Sequence, residues 1–248
     1  MLDLLLLVST VAFVAAGAAV GFRLLALARR TRQLPDLMVG VALLLLAPVA
    51  YPLILGSSLG DFSLGATRGL SIASVIVMAA GWACMFAFTQ LVFRPGVEWA
   101  KALAGAGIAV LAYGLVASIA FDLRAADVAT LRSASNPARW LQTAAIVVYA
   151  WTSVEGFRCW DQARRRFALG LADPLVVNRF LLWGVIGVCS LLSVTPSFVI
   201  QLAGGDGAGN PYARLATALS GLACSIALQL AFLPPPAYRR WLLGNAAA

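Results

Sequence analysis

The sequence contains no histidine, one lysine (Lys101) and only 11% charged residues. The absence of histidine excludes haem or chlorophyll held by histidine, histidine-containing zinc sites and every Ser-His or Cys-His nucleophile pair. Lys101 lies in a loop-like segment, outside the long apolar runs of the chain. No lysine is therefore placed to form a buried Schiff base, which excludes a retinal pigment.

The four cysteines, Cys84, Cys159, Cys189 and Cys224, have no C-x-x-C spacing, and each lies in an apolar run. This pattern favours soft buried hydrophobes, and the alternative is a redox or metal site. The sequence shows no glycine-rich phosphate loop, no paired carboxylates and no set of metal ligands. A membrane enzyme would need at least an acid–base pair. We therefore predict no catalytic residue, no metal, no cofactor and no enzymatic activity.

Apolar residues make up 62% of the 248 positions. Soluble domains average about 45–50% apolar and about 25% charged residues. With so few charges, the apolar side chains cannot all be buried in one globular core. The composition predicts an all-α, multi-pass integral membrane protein. It excludes disordered, collagenous and disulfide-scaffold classes, and it excludes a nucleic-acid partner in spite of the net charge of +8.

A membrane-spanning helix needs about 20 mostly apolar residues. Seven such runs are present, at 4–28, 37–57, 69–93, 102–121, 138–160, 178–202 and 213–233. Basic, glycine-rich or proline-containing segments separate them, among them the segment from Ser133 to Pro137. The first run resembles a signal peptide, but Asp3 and the lack of an early basic residue favour a retained first helix.

The basic residues are distributed unequally between the two sides of the predicted bundle. With the amino terminus outside, 13 of the 18 Lys and Arg residues lie on the cytoplasmic side, where the carboxyl terminus also lies. This is the bias expected of membrane proteins. It predicts a protein of the cell membrane, in the bacterial inner membrane, with anionic lipid headgroups as partners of the cytoplasmic side.

Three short patterns recur in the same order in both halves of the chain. The first and fifth runs end with Gly-Phe-Arg and then Ala-Arg-Arg, 135 positions apart. The second and sixth runs are each followed by Gly-Asp and then an arginine. The third and seventh close with Gln-Leu-x-Phe-x-Pro, 139 positions apart. These matches predict an internal duplication, and the alternative is convergent loop chemistry.

The duplication divides the chain into a first three-helix repeat (1–95), an inverting fourth helix with its outer loop (96–135) and a second repeat with a short tail (136–248). Because each repeat has an odd number of spans, the fourth helix makes the two copies parallel. This three-plus-one-plus-three order resembles the architecture of the SWEET and PQ-loop families and, in helix number and orientation, the microbial rhodopsins. Uncharacterised bacterial seven-helix proteins are similar too. The resemblance implies a path for a small solute framed by the two repeats, and it is architectural, because no Pro-Gln dipeptide follows the first or fifth run.

Glu155 is predicted to be the one carboxylate well inside a span, and intramembrane ionisable residues default to a functional hypothesis. Its expected partners are Arg158, one turn away, and Arg23, which the duplication places opposite. We predict that these three residues form a buried polar cluster that binds a proton or a polar solute or acts as a switch. The alternative is an arginine that extends to the headgroups with Glu155 as its counter-ion.

Neutral polar residues at membrane depth are further candidates for binding or translocation. They are Gln90, Ser193, Thr195, Ser197, Gln201 and Gln229. The sixth run is the densest in such groups, which predicts that it forms a cavity wall beside Pro196; the alternative is hydrogen bonding that holds helices together. Pro48, Pro52 and Pro196 are candidate hinges, with packing adjustment as the alternative.

Two functions are compatible with these features. We favour a small-solute or proton-linked transporter or channel, since only seven residues follow Trp241 and an output domain is not expected. The alternative is a receptor-like sensor or assembly subunit that signals through a partner docked on the basic segment 158–179. A homo-oligomer is compatible with either function.

Overall fold

The computed structural model describes residues 1–133, 137–207 and 209–245, and this part of the chain forms helices and short connections without a strand. Seven long helices follow one another: α1 (Leu2–Thr31), α2 (Leu34–Leu59), α3 (Leu64–Phe93), α4 (Glu98–Arg124), α5 (Arg139–Ala168), α6 (Pro174–Leu202) and α7 (Pro211–Phe232). Two short helices, Val128–Leu131 and Pro236–Asn245, follow α4 and α7. Each predicted run lies within a long helix to within one residue, and the predicted boundary at 135/136 lies outside the described residues.

Six of the seven long helices are long and apolar enough to cross a membrane, which indicates a multi-pass membrane protein. The helix that does not reach this threshold is α5. It carries Glu155, Arg158 and the basic run 164–166, and ten of its residues are buried inside the bundle. The charged residues of α5 lower its mean hydropathy, so that the expected seventh span is not among the helices apolar enough to cross a membrane.

The helices are neighbours in a closed ring that omits α4. The principal contacts join α1 to α2, α2 to α3, α3 to α5, α5 to α6, α6 to α7 and α7 back to α1. Helix α4 packs outside the ring, against α3 and α5. The core lies at the α3–α5–α6–α7 side and contains Phe86, Trp151, Trp183 and Leu228, all buried.

Local sequence chemistry sets several helix ends. Asp173 and Asn210 accept backbone N–H bonds at the starts of α6 and α7, and a proline follows each of them at the first helical position. Helix α1 ends at Arg32, whose φ of 55° places it in the left-handed region. The helices therefore begin and end where capping chemistry predicts.

The candidate hinge prolines lie in two different kinds of backbone. In α2, the residues Leu45–Val49 form a π-helical turn that contains Pro48, and Pro52 lies in the α-helical segment that follows. A proline lacks the N–H of a regular turn and crowds the carbonyl four residues earlier, which a wider turn relieves. In α6, Pro196 lies within an uninterrupted α-helix. The two helices thus differ in regularity at this level.

Candidate functional site

A cavity of about 860 Å³ lies inside the ring of helices. All six ring helices contribute lining residues, and so does the connection between α4 and α5, whereas none of the described residues of α4 does. The lining includes Leu59, Arg132 and Asp206, which lie at or next to helix ends on one side of the bundle. The cavity therefore occupies the end of the bundle opposite to the basic clusters of α1 and α5.

The cavity wall combines apolar side chains with uncharged polar ones. Its hydroxyl and amide side chains include Tyr51, Ser71, Ser74, Gln142, Tyr149, Ser190, Ser193, Ser197, Gln201 and Thr217. The charged lining residues, Arg132, Asp206 and Arg214, lie in connections or in the first turn of α7. A concave, partly apolar site with a few hydrogen-bonding groups is typical of sites that bind small molecules.

Hydrogen bonds join the polar residues of α6 to each other and to α7. Gln201 donates from Nε2 to Ser197 Oγ at 3.1 Å. Thr217 donates from Oγ1 to the Ser193 carbonyl at 3.0 Å. Both expected roles of α6, wall and interhelical attachment, are therefore found together at this cavity.

The cavity mouth is held by an arginine of the α4–α5 connection. Arg132 donates to the carbonyls of Ser57 at 3.0 Å and Gly60 at 2.8 Å, at the end of α2. The helix that precedes it, Val128–Leu131, is capped by Asp127, which accepts the Thr130 N–H at 2.7 Å. That backbone hydrogen bond lowers the pKa of Asp127 below its ordinary value of 3.8. The connection is thereby tied to α2 across the mouth.

Contacts between α3 and α5 lie at the deep end of the cavity. Trp82 donates from Nε1 to Tyr149 Oη at 2.9 Å, and both residues line the cavity. Beyond this contact, toward the basic end, Thr89 and Thr152 share a hydrogen bond of 3.0 Å and are both buried. Phe86 of α3 is fully buried. These contacts join α3 to α5 between the cavity and the basic end.

A buried ion pair lies at the far end of the α3–α5 contact. Arg94 donates from Nε to Glu155 Oε1 at 2.6 Å, and the two side chains are 22% and 3% exposed. The guanidinium of Arg94 lies 5.2 Å from the ring centre of Trp99, a cation–π distance. Arg158 is 4.0 Å from Glu155 Oε2 and is half exposed. Arg94, and not Arg158, is the principal partner of Glu155.

The order of the helices around the bundle separates Arg23, the other expected partner, from Glu155. Arg23 lies on α1, which packs on α2 and α7, whereas Glu155 lies on α5 next to α3. Arg23 lines a second, smaller cavity of about 210 Å³ together with residues of α6, α7 and the last helix. The structure therefore does not place Arg23 next to Glu155, as the predicted cluster required.

The remaining candidates divide between the cavity and other places. Ser193, Ser197 and Gln201 line the large cavity. Thr195 is half-buried in α6 without contributing to its lining, Gln90 is half-buried near the end of α3, and Gln229 is exposed. Sequence spacing places a residue at a depth in the membrane, but the helix face it occupies depends on the neighbours of that helix.

Three features of the structure were not predicted. Arg94 lies just after the end of α3 and directly precedes Pro95, and its pairing with Glu155 joins residues 61 positions apart. The Trp82–Tyr149 contact joins residues 67 positions apart, so no local pattern indicates it. Asp122, close to the end of α4, is a second fully buried carboxylate. Among the described residues, no group of three or more His, Cys, Asp or Glu side chains could hold a metal ion.

Comparison of the chain with protein families, with curated proteins and with solved structures finds no match. The likeness to other helical membrane bundles therefore consists of the all-helical architecture and its apolar helices.

Proposed function

We propose that this protein is a transporter or channel for small, neutral, polar solutes, with α1–α3 and α5–α7 as two parallel repeats around the path. The observation that carries the proposal is the cavity of about 860 Å³ inside the helix ring. Its wall carries uncharged hydrogen-bonding groups, the charged residues Arg132, Asp206 and Arg214 lie near helix ends, and under this proposal the α3–α5 contacts close the cavity at one end. A solute site that is open on one side and closed on the other is what alternating access requires.

Equivalent glycines support the duplication. A side chain added at Gly21 in α1 would come within 3.2 Å of the Gly40 carbonyl in α2. One added at Gly156 in α5 would come within 2.7 Å of the Gly184 nitrogen in α6. Gly156 is the counterpart of Gly21 in the sequence. Gly184 lies as far after Gly40 as Pro196 lies after Pro52, so both pairs correspond by one common shift. The first two helices of each proposed repeat thus approach each other through a corresponding glycine pair.

The ends of the third helices agree with the same correspondence. At the end of α3, Arg94 has φ −137° and ψ 54°, and its N–H bonds to the Gln90 carbonyl. At the end of α7, Leu233 has φ −129° and ψ 49°, and its N–H bonds to the Gln229 carbonyl. A proline follows each of these residues. The exposed Gln229 and half-buried Gln90 are therefore better explained as parts of equivalent helix ends than as solute ligands.

The ring order is compatible with a twofold axis along the membrane normal. Exchanging α1–α3 with α5–α7 converts the α3–α5 contact into the α7–α1 contact and reproduces every other contact of the ring. Helix α4 has no counterpart and lies outside. Under this proposal the chain divides as 1–95, 96–135 and 136–248.

The ion pair breaks this symmetry and supplies the proposed switch. The counterparts of Glu155 and Arg94 are Val20 and Leu233, two apolar residues in or against the hydrophobic core. A buried ion pair is rarely more stabilising than a well-packed apolar pair in its place. We infer that making and breaking this pair controls the opening of the basic end. The prolines of α2 and α6 would then act as hinges.

The same proposal includes the orientation of the protein. All seven long helices cross the cell membrane, the amino terminus and the cavity mouth face outward, and the basic end faces the cytoplasm. This orientation follows from the excess of Lys and Arg at that end. Anionic lipid headgroups would contact the basic end.

Cysteine labelling tests the cavity and its orientation. All four native cysteines are free, so they can be replaced to give a cysteine-free background. In it, Ser193→Cys is expected to react with a membrane-impermeant maleimide added outside intact spheroplasts. Ser118→Cys is the matched control, because Ser118 is fully buried on α4 and does not line the cavity. Equal labelling of both positions, or labelling of Ser193→Cys only from the inside, would contradict the proposal.

A flux measurement separates the two candidate functions. The purified protein in liposomes should accelerate the efflux of at least one small polyol, sugar or amide, and the Ser193→Trp variant should block it. The closed deep end of the cavity also suits a receptor-like sensor, which needs a binding site without a passage. If a solute raises the melting temperature and quenches tryptophan fluorescence but never crosses the membrane, the sensor replaces the transporter.

A further inference from the structure

A second cavity, of about 210 Å³, lies at the basic end of the bundle. Arginines of three separate elements line it: Arg23 of α1, Arg179 of α6 and Arg239 of the helix Pro236–Asn245. Asn178 is the fourth polar lining residue, and the other six are apolar. No carboxylate contributes to this lining.

None of the three arginines forms an ion pair within the described part of the chain. By contrast, Arg164 and Arg165, also at the basic end, both pair with Asp161. Three unneutralised guanidinium groups around one small cavity repel one another, and an anion placed among them removes that repulsion. Guanidinium groups bind the oxygens of phosphates and carboxylates in bidentate fashion, which favours an oxyanion over chloride.

The last helix is attached to α6 next to this cavity, which Arg239 lines. Tyr238 donates from its hydroxyl to Asn178 Oδ1 at 3.0 Å, which joins the helix to the first turns of α6. Tyr238 also stacks on Trp241 with ring centres 5.8 Å apart. The helix thus forms one wall of the cavity and is not only a tail beyond α7.

We propose that Arg23, Arg179 and Arg239, with Asn178, bind a phosphate group in this cavity. The apolar lining, which includes Leu230 and Leu242, provides contacts for a hydrocarbon chain next to the phosphate. An acidic phospholipid headgroup carries both chemistries, and free phosphate carries only one. Basic pockets between helices at the cytoplasmic side of membrane proteins are suited to such headgroups. The site is separate from the solute cavity and does not depend on transport.

Native mass spectrometry of the full chain in neutral detergent tests this site. The probes are dioleoyl phosphatidic acid and, as the neutral reference, dioleoyl phosphatidylcholine. We expect the triple variant Arg23→Gln, Arg179→Gln, Arg239→Gln to lose about a hundredfold in affinity for phosphatidic acid, since each arginine contributes roughly fivefold near a headgroup. The charge-matched control replaces Arg29, Arg30 and Arg166 with Gln, none of which lines the cavity. It should keep its affinity within about twofold.

A single variant keeps the test decisive if the triple variant does not fold. Arg239 lies on the last helix, outside the ring of helices. The Arg239→Gln variant is expected to weaken the binding of phosphatidic acid about fivefold. Competition by millimolar inorganic phosphate would identify free phosphate as a sufficient ligand, and lack of competition would identify the lipid headgroup. Equal losses in the triple variant and its control, or equal binding of both lipids by the wild type, would overturn the proposal.

Discussion

The Arg94–Glu155 pair gives the sharpest quantitative prediction. We consider the substitutions Arg94→Leu and Glu155→Val, which copy the counterparts Leu233 and Val20 from the other half of the chain. In the double variant, the α3–α5 contact would become an apolar pair like the one between α7 and α1. The test compares both single variants with the double variant.

The burial of each partner sets the expected free energies. Arg94→Leu leaves the carboxylate of Glu155, which is 3% exposed, without its main partner. Breaking a buried pair costs about 3–5 kcal/mol, and we expect about 3 kcal/mol because Arg158 remains 4.0 Å away. Glu155→Val leaves Arg94, whose side chain is 22% exposed and can turn toward water. We expect about 1–3 kcal/mol, between the values for exposed and buried pairs.

The double variant should lie within about 1 kcal/mol of the wild type, because apolar replacement of a buried pair is often neutral or stabilising. The coupling free energy would then be about 3–7 kcal/mol, at or above the upper end of values for residues in contact. The assay is reversible unfolding in mixed micelles with an increasing fraction of dodecyl sulfate. The fluorescence of the seven tryptophans reports the transition.

The exposed pair of Lys101 and Glu98 provides the control cycle. Its side chains are 51% and 84% exposed, and its N–O distance is 2.7 Å, close to that of the buried pair. We expect a coupling of about 0.5 kcal/mol or less there. A coupling free energy no larger than that of this control would refute the reasoning for the buried pair. A larger loss of unfolding free energy in Glu155→Val than in Arg94→Leu would also refute it. In liposomes, the stable double variant should lack solute flux, because the proposed switch is gone.

Two further predictions concern helix packing and the cavity mouth. Gly156→Val is expected to destabilise the bundle by about 1–3 kcal/mol, because its Cβ would lie 2.7 Å from the Gly184 nitrogen. Gly105→Val, with nothing within 4 Å, is the control and should change the unfolding free energy by less than about 0.5 kcal/mol. Arg132→Ala should cost about 1–3 kcal/mol through its two lost carbonyl bonds. Faster hydrogen exchange at the end of α2 would report this loss, and unchanged exchange there would contradict it.

Much of the helical framework follows from local sequence. The apolar runs are long because lipid offers no hydrogen bonds to the backbone, so each span must be a complete helix of membrane length. Gly-Asp turns, Pro95 and the basic clusters then separate the helices, and the observed bounds agree. The candidate hinges show the limit of prediction from local sequence. Pro48 lies in a π-helical turn and Pro196 in a regular α-helix, although both are prolines inside a long helix.

The site was predictable only in part. Ser193, Ser197 and Gln201 were expected on a cavity wall because polar groups cluster in the sixth run, and they line the cavity. Arg23 was expected next to Glu155, and the ring order places Arg94 there instead. Hydropathy reports how deep a residue lies, but it does not report which neighbour its helix face meets.

Composition and the lengths of the apolar runs by themselves determined the membrane class and the long helices, since these depend on the transfer of single segments from water into lipid. The lack of histidine alone excluded histidine chemistry. Only the tertiary structure decided that α4 lies outside the ring, that six helices enclose a cavity and that Glu155 pairs with Arg94. These features depend on contacts between different helices, as in the 61-residue separation of the ion pair. Such contacts form when whole helices pack, and no local pattern encodes them.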